Sequence, residues 1–336
     1  MVTMFDVAQK AGVSKATVSR VLNGKNIVRP EVTAKVFKAI EETGYRPNLL
    51  AQQLATKKTN FIGFVITNAL YDGPYFSSLV YHAASFSEQH GRQLVMADGK
   101  HSAEDEKNAI NFLLDMKCAG IIVYPKYLTE KDLKAIIDST LTPIVVLNRN
   151  LSSDPQHCIT TDHYSNASLM VEYILKQGHE NIAFIRGLSD SSTGIQRLCA
   201  YKDTLKKHGI EVNQERIVAA KWTPESGYLA AKKLVKSGVD FTAVLAGNDD
   251  MALGAMKAFM ELGYHLPKDI SIAGFDNSKM GAFLTPSLTS VSVPLEKMIQ
   301  KGILILLEEY QSAQKVSTEG CLIIRDSISR QANNKV

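Results

Sequence analysis

No apolar run on the order of 18 residues, the length a membrane-spanning helix needs, occurs in this 336-residue chain. Cysteine is scarce. Cys118, Cys158, Cys199 and Cys321 stand far apart, with neither CxxC nor zinc-type spacing, so four reduced, buried thiols are expected rather than a disulfide or metal framework. There is no glycine-rich phosphate loop, since Gly63 and Gly120 stand alone, and no G-x-S-x-G nucleophile motif. His101, His157, His163 and His179 lack ligand spacing and are read as surface or capping residues; neither a metal nor a cofactor is expected. Glu104, Asp105 and Glu106 form an acidic helix start, read as solvated rather than as a catalytic pair. The amino terminus carries no secretory leader pattern, so a cytoplasmic protein is expected. Together these absences argue against an enzyme.

What is present is concentrated in residues 11–24, AGVSKATVSRVLNG. Thr3 is a good N-cap, with Asp6 three residues on in the capping-box place. Met4, Val7, Ala8 and Ala11 recur at helical spacing and predict one buried stripe. Gly12 ends that helix, Val13 packs in the turn, and Ser14 caps a second helix from Lys15 to Leu22. Two helices joined this tightly predict a helix-turn-helix. Thr17, Val18, Val21 and Leu22 are expected to face the core or the phosphate rim. Lys15, Ala16, Ser19 and Arg20 are left outward, where such a helix reaches base edges in the major groove. Lys15 and Arg20 suit guanine, and Ala16 suits a thymine methyl. Thr17 and Ser19 suit phosphates. A third helix over about residues 30–43, stopped by Gly44, is expected to close the head with Val32, Val36, Phe37 and Ile40.

Charge supports a polyanion partner. Residues 1–60 hold ten basic and four acidic side chains, a balance of +6. That leaves 28 of the 38 basic and 30 of the 34 acidic residues, a balance of −2, for the rest.

Next comes GYRPNLLAQQLAT, residues 44–56. Pro47 forbids continuing the third helix, and Asn48 can cap a new one of about seven residues. A helix that short is marginal in water without a partner. Here the sequence resembles the LacI/GalR family of bacterial repressors: "DVAQKAGVSKATVSRVLNG" followed by "GYRPNLLAQQL". The resemblance implies a hinge helix that folds in the minor groove of operator DNA. Leu54 would be the wedge and Ala51 the small residue near the groove floor. It implies DNA contacts at Thr3, Ser14, Lys15, Ala16, Thr17, Ser19, Arg20, Asn23, Asn48, Ala51 and Leu54. Gln52 departs from the arginine usual in the family.

From Phe61 onward, strand-like and helical runs alternate. Strands are expected at 61–67, 93–97, 120–124, 143–147, 159–161, 181–186, 217–219, 243–246, 270–274 and 290–293, with helices such as 75–90 and 105–116 between them. Such alternation predicts parallel α/β sheets, with ligands beyond the C-terminal strand ends. The resemblance extends over residues 60–68, 143–150, 179–205, 246–256 and 270–276. It implies a two-lobed core like a periplasmic sugar-binding protein, crossed near Asp162, near Val291 and again near the C-terminus. The expected division is a head at 1–45, a hinge and linker at 46–60 and a core at 61–336. Within the core, the first lobe takes about 61–161 and 292–320. The second takes about 162–291 and the C-terminal segment.

Polar residues at the expected strand ends suit a sugar, which needs planar side chains for hydroxyl pairs and an aromatic face for its C–H side. Asn148, Arg149, Asn248, Asp249 and Asp276 stand at such ends, and Trp222 is the only tryptophan. One of Asp249 and Asp250 is expected to cap the helix beginning at Met251. The resemblance places effector contacts at Arg197, Trp222, Asn248 and Asp276, with Asn148 where some members carry aspartate. Thr67, Tyr75 and Phe76 would wall the first lobe. The implied protein is a sugar-gated repressor in the bacterial cytoplasm, associated with the nucleoid, whose effector is a β-glucoside or a related sugar. With no leucine heptad after Arg330, a homodimer is expected. Two rivals are a sugar-binding or transport protein without gene control and an enzyme acting on a sugar.

Overall fold

The structure, a computed structural model, describes residues 2–22, 28–46, 60–67, 73–309 and 316–331. The chain divides into two compact units, Met1–Thr59 and Asn60–Val336.

The head contains α1 (Met4–Ala11), α2 (Lys15–Leu22) and α3 (Pro30–Thr43). The capping box forms: Thr3 N–H donates to Asp6 Oδ2 at 2.7 Å, and Asp6 N–H to Thr3 Oγ1 at 3.4 Å. Gly12 takes the left-handed conformation, φ 65°, that lets the chain turn from α1. Ser14 Oγ then accepts from Thr17 N–H at 3.2 Å and starts α2. Val7, Ala8, Val18, Val21, Val36 and Ala39 are the buried core, with Met4, Ala11, Val13, Leu22 and Ile40 packed against it. Phe37, expected in that core, is exposed. The inward stripe of α3 runs through the expected Val36 and Ile40 with Ala39, while Val32, also expected there, is half-buried outside the cluster.

The second unit holds two six-stranded sheets. The first is ordered β11-β5-β4-β3-β1-β2, from β1 (Phe61–Ile66), β2 (Gln93–Asp98), β3 (Gly120–Tyr124), β4 (Ile144–Leu147), β5 (Cys158–Thr161) and β11 (Val316–Thr318). The second is ordered β12-β10-β9-β8-β6-β7, from β6 (Ile182–Arg186), β7 (Ile217–Ala219), β8 (Ala243–Ala246), β9 (Ser271–Phe275), β10 (Thr289–Ser292) and β12 (Cys321–Ile323). All pairings are parallel except β10 with β12. The ten strands read from the sequence all form, each bound within one residue. The three-residue β11 and β12 had no legible pattern.

Helices cover both sheets: α4 (Pro74–Gln89), α5 (Ala103–Asp115) and α6 (Glu130–Asp138), then α7 (His163–Lys176), α8 (Ser192–Lys207), α9 (Pro224–Ser237), α10 (Asp249–Glu261) and α11 (Leu295–Leu306). Sheets buried on both faces explain why β1, β3, β4 and β8 read as continuous apolar runs. The apolar side chains collect into two clusters per lobe, one on each face of its sheet. The chain passes between the lobes three times: after β5, after β10 and between β11 and β12. Although α11 follows a second-lobe strand, it packs on the first lobe through Met298, Ile299, Ile303 and Leu306.

Three minor expectations are corrected. Cys118 and Cys158 are buried, but Cys199 and Cys321 are exposed. His163 and His179 are buried rather than superficial. His179 ties Thr242 Oγ1 and Ser329 C=O together at 2.9 Å each. Glu106 is fully buried rather than solvated.

Candidate functional site

On the head, Lys15, Ala16 and Arg20 are exposed on one side of α2, and Ser19 and Thr17 are half-buried. The Thr3 hydroxyl is engaged in its cap, and Ser14 Oγ lies 2.9 Å from Thr17 Oγ1. Asn23, Asn48, Ala51, Gln52 and Leu54 lie outside the described residues.

In the second unit the C-terminal strand ends of both lobes face one cleft. It consists of two adjoining pockets, open to solvent, that share Tyr124, Ser191, Thr193 and Trp222. Tyr124 ends β3, Asn148 follows β4, and Ser191 and Thr193 begin α8. Trp222 sits in a slot made by glycine. A Cβ on Gly187 would come within 2.0 Å of the indole; on Gly194 or Gly247 it would come within 3.2 Å. These glycines stand after β6, in α8 and after β8, so the ring lies on bare backbone where three elements converge.

Arg197 is buried and spans the floor. Its Nη2 meets Asp276 Oδ1 at 3.1 Å, its Nη1 donates to the Gly247 carbonyl, and its guanidinium lies 4.3 Å over the Phe275 ring. Its Nε has no partner among the described residues. Burial pushes the Asp276 carboxyl up, and Arg197 pulls it back. Behind it, Asp249 accepts from Ser278 N–H and Ser290 Oγ at 2.7 Å each. Burial first, and then the charge of Asp276, push Asp249 up to about 8.

Asn148 links the lobes. Its Nδ2 donates to Tyr124 Oη at 2.7 Å and across the cleft to Thr193 Oγ1 at 3.1 Å. Its Oδ1 therefore faces His163 Nε2, 2.7 Å away, so that nitrogen carries the proton. Burial, helped by the Arg197 charge, holds His163 well below the usual imidazole range. The ring is neutral, and its buried Nδ1 is a bare acceptor without a partner among the described residues. Tyr75 Oη lies 3.1 Å from Tyr124 Oη, and burial raises both phenols.

Asn148, Trp222 and Asp276 all hold positive φ, at 55°, 70° and 96°. Non-glycine residues in that region store strain of roughly 1–3 kcal/mol each. The surrounding bonds hold them there, as in a preorganised site.

The rim loop after β3 is gripped from two directions. Glu106 Oε1 and Oε2 accept from the N–H groups of Lys126, Tyr127 and Leu128 at 2.7–3.2 Å. Arg149 donates to the carbonyls of Lys126 and Leu128 at 3.2 and 3.4 Å.

Of the expected contacts, Tyr75, Asn148, Arg197, Trp222, Asn248 and Asp276 line the cleft. Thr67 and Phe76 are not among its lining residues. Thr67 is fully buried, and Phe76 packs into the first lobe's core. Asn248, not Asp249 or Asp250, caps α10: its Oδ1 accepts from Met251 N–H at 2.9 Å, and its Nδ2 donates to Trp222 C=O at 3.0 Å. Asn248 thus joins the tryptophan loop to the helix, while Asp250 lines the cavity. Sequence reasoning missed Tyr124, Lys126, His163, Ser191 and Thr193. The end of β3 was as legible a position as the end of β4, but His163 carried no local signal.

Residues 3–48 match the bacterial regulatory proteins of the lacI family, and residues 171–328 match the periplasmic binding protein-like domain. The chain is 46% identical over 331 residues, 98% of each sequence, to the HTH-type transcriptional regulator AscG of Escherichia coli K12. Its fold is similar to that of the lac repressor dimer bound to operator and the anti-inducer ONPF, with TM-score 0.86 and 30% identity over 98% of this chain and 99% of that one. It is also similar to the transcriptional regulator CelR in its cellobiose complex, with TM-score 0.70 and 26% identity over 97% of this chain and all of that one.

Proposed function

This chain belongs to the lacI family of bacterial regulatory proteins, and we propose that its cleft takes a sugar, a β-glucoside or a close relative, which controls operator binding by the head. It is a DNA-binding transcriptional regulator and not an enzyme. That sets aside the transport and enzyme rivals. No described helix is long and apolar enough to cross a membrane, and we place the protein in the cytoplasm.

The carrying observation is the pairing of Arg197 with Asp276 at 3.1 Å beside the glycine-slotted Trp222. A guanidinium and a carboxylate fixed side by side match a hydroxyl pair through charge-assisted hydrogen bonds. An indole beside them offers the face that a pyranose C–H surface needs. The cellobiose complex of a relative of similar fold agrees with this ligand class.

In this reading residues 1–45 read the half-site through Lys15, Ala16 and Arg20, and Thr17 and Ser19 meet phosphates. Residues 46–60 form the hinge, with Asn48, Ala51 and the Leu54 wedge in the minor groove, and residues 61–336 bind effector and pair two copies. Sugar acts by binding the DNA-free arrangement more tightly, which lowers operator affinity by linkage. The test is operator titration at fixed salt with and without cellobiose or salicin. We expect a loss of affinity of about tenfold or more, equivalent to a coupling of about 1.4 kcal/mol. Unchanged affinity with a sugar that demonstrably binds overturns the reading. Leu54→Ala is expected to weaken operator binding and reduce DNA bending.

A further inference from the structure

The two halves of the cleft are lined by different charged groups, mostly carboxylates in one and mostly cations in the other. The half around Arg197 is lined by Asp250 and Asp276 as well, two carboxylates against one guanidinium. The half around Asn148 is lined by Lys126 and Arg149 against one lining carboxylate, Asp190 at the exposed rim, while Glu106 behind the loop is engaged on the N–H groups of residues 126–128. Lys126 makes no ion pair among the described residues; its ammonium lies 5.1 Å over the Tyr127 ring. Arg149 is bonded to carbonyls, which fix its position but leave its charge unneutralised. The loop that carries Lys126 is the one held by buried Glu106. The grip fixes the backbone from which the Lys126 side chain starts, at the edge of the cleft.

The opposite wall of this half is the amino end of α8, sixteen residues long. Ser191 caps it by accepting from Gly194 N–H at 3.3 Å, and the N–H groups of Ser192 and Thr193 have no partner among the described residues. Free amide groups and the helix dipole add positive potential there. The cavity is also continuous with the half in which the buried Arg197 Nε and His163 Nδ1 lack partners. A neutral disaccharide would leave Lys126 and Arg149 unmatched. A ligand with hydroxyls at one end and negative charge at the other would match both halves.

We propose that the effector is a glycoside bearing an anionic group, phosphoryl or carboxylate, with its hydroxyls on Arg197 and Asp276 and its anion on Lys126 and the amino end of α8. This rests on the cleft being the sugar site.

The test is calorimetric titration of the full chain with phenyl β-D-glucoside, its 6-phosphate and phenyl β-D-glucuronide. An anionic compound is expected to bind about tenfold or more tightly than the neutral one, a difference of about 1.4 kcal/mol, and the better of the two identifies the anion. Lys126→Met is expected to cut that ratio to below about threefold, a difference of about 0.7 kcal/mol. Lys126→Arg keeps it, and so does Lys100→Met, which changes a lysine outside the cleft. A neutral compound that binds as tightly overturns the proposal, as does a preference that survives Lys126→Met. So does failure of both anionic compounds to bind, while a bound neutral glycoside leaves the sugar reading standing. The sugar reading itself fails if Trp222→Ala leaves the binding of all three unchanged.

Discussion

Glu106 and Arg149 hold one loop through complementary halves of its peptide groups: the carboxylate takes the N–H groups of residues 126–128, and the guanidinium takes the carbonyls of Lys126 and Leu128. Neither side chain needs to touch ligand to shape the rim. Both charges meet backbone dipoles, and this satisfies polar groups that burial would otherwise leave costly.

Glu106→Gln is expected to destabilise the core by roughly 2–3 kcal/mol, because the amide NH2 faces N–H groups and leaves part of the loop unpaired. Urea unfolding checks this. The same variant should weaken sugar binding through the misplaced rim. Stability equal to that of the parent protein would contradict the grip.

Gly187→Ala should mimic loss of Trp222. Its Cβ would meet the indole at 2.0 Å, and rigid backbone leaves the ring nowhere to move except into the cleft. Sugar-induced thermal shift should vanish while circular dichroism stays that of a folded chain. A retained shift would mean that the indole has another resting place.

Asp249 gives a pH signature. Its folded-state value of about 8 lies above the ordinary 3.8, so the folded protein holds a proton that the unfolded chain releases. Its contribution is full below pH 4 and is lost as pH rises through about 8. The melting temperature should therefore fall more between pH 6 and pH 9 in the parent than in Asp249→Asn, whose amide does not titrate. Parallel pH profiles would refute the protonated state.

Lys15→Ala and Arg20→Ala should each weaken operator binding by about 1–3 kcal/mol if they meet base edges, and relax the sequence preference at one position. A uniform loss across sequences with a shallower salt slope would make them phosphate contacts instead. Competition binding against mutated half-sites separates the two outcomes.

The strands were legible because parallel sheets bury both faces, so β1, β3 and β8 announce themselves as short apolar runs between breakers. The helix-turn-helix was legible because caps are local: Thr3, Asp6, Gly12 and Ser14 act within a few residues of one another. Phe37 was misplaced because its apolar side chain lies three residues before Ile40, a spacing that also fits one helical face, and Ala39 is too small to declare itself core. Asp276, Trp222 and Arg197 could be named from strand ends and family motifs. What joins them could not. The glycine slot around Trp222 needs Gly187 and Gly194 from one connection and Gly247 from another. Glu106 reads as one more acidic residue at a helix start until the loop 20 residues later folds onto it. Such relations depend on tertiary approach, which no local pattern encodes.

The three passages between the lobes leave from strands gathered at one edge of each sheet: β5 and β11 in the first, β10 and β12 in the second. Tethers on one side remove most sliding and leave rotation about that side. The far edges, at β2 and β7, then travel furthest when a ligand draws the lobes together. A closure that pivots on that side would therefore move β2 and the helices beside it further than Asn148, which follows β4, nearer the tethers.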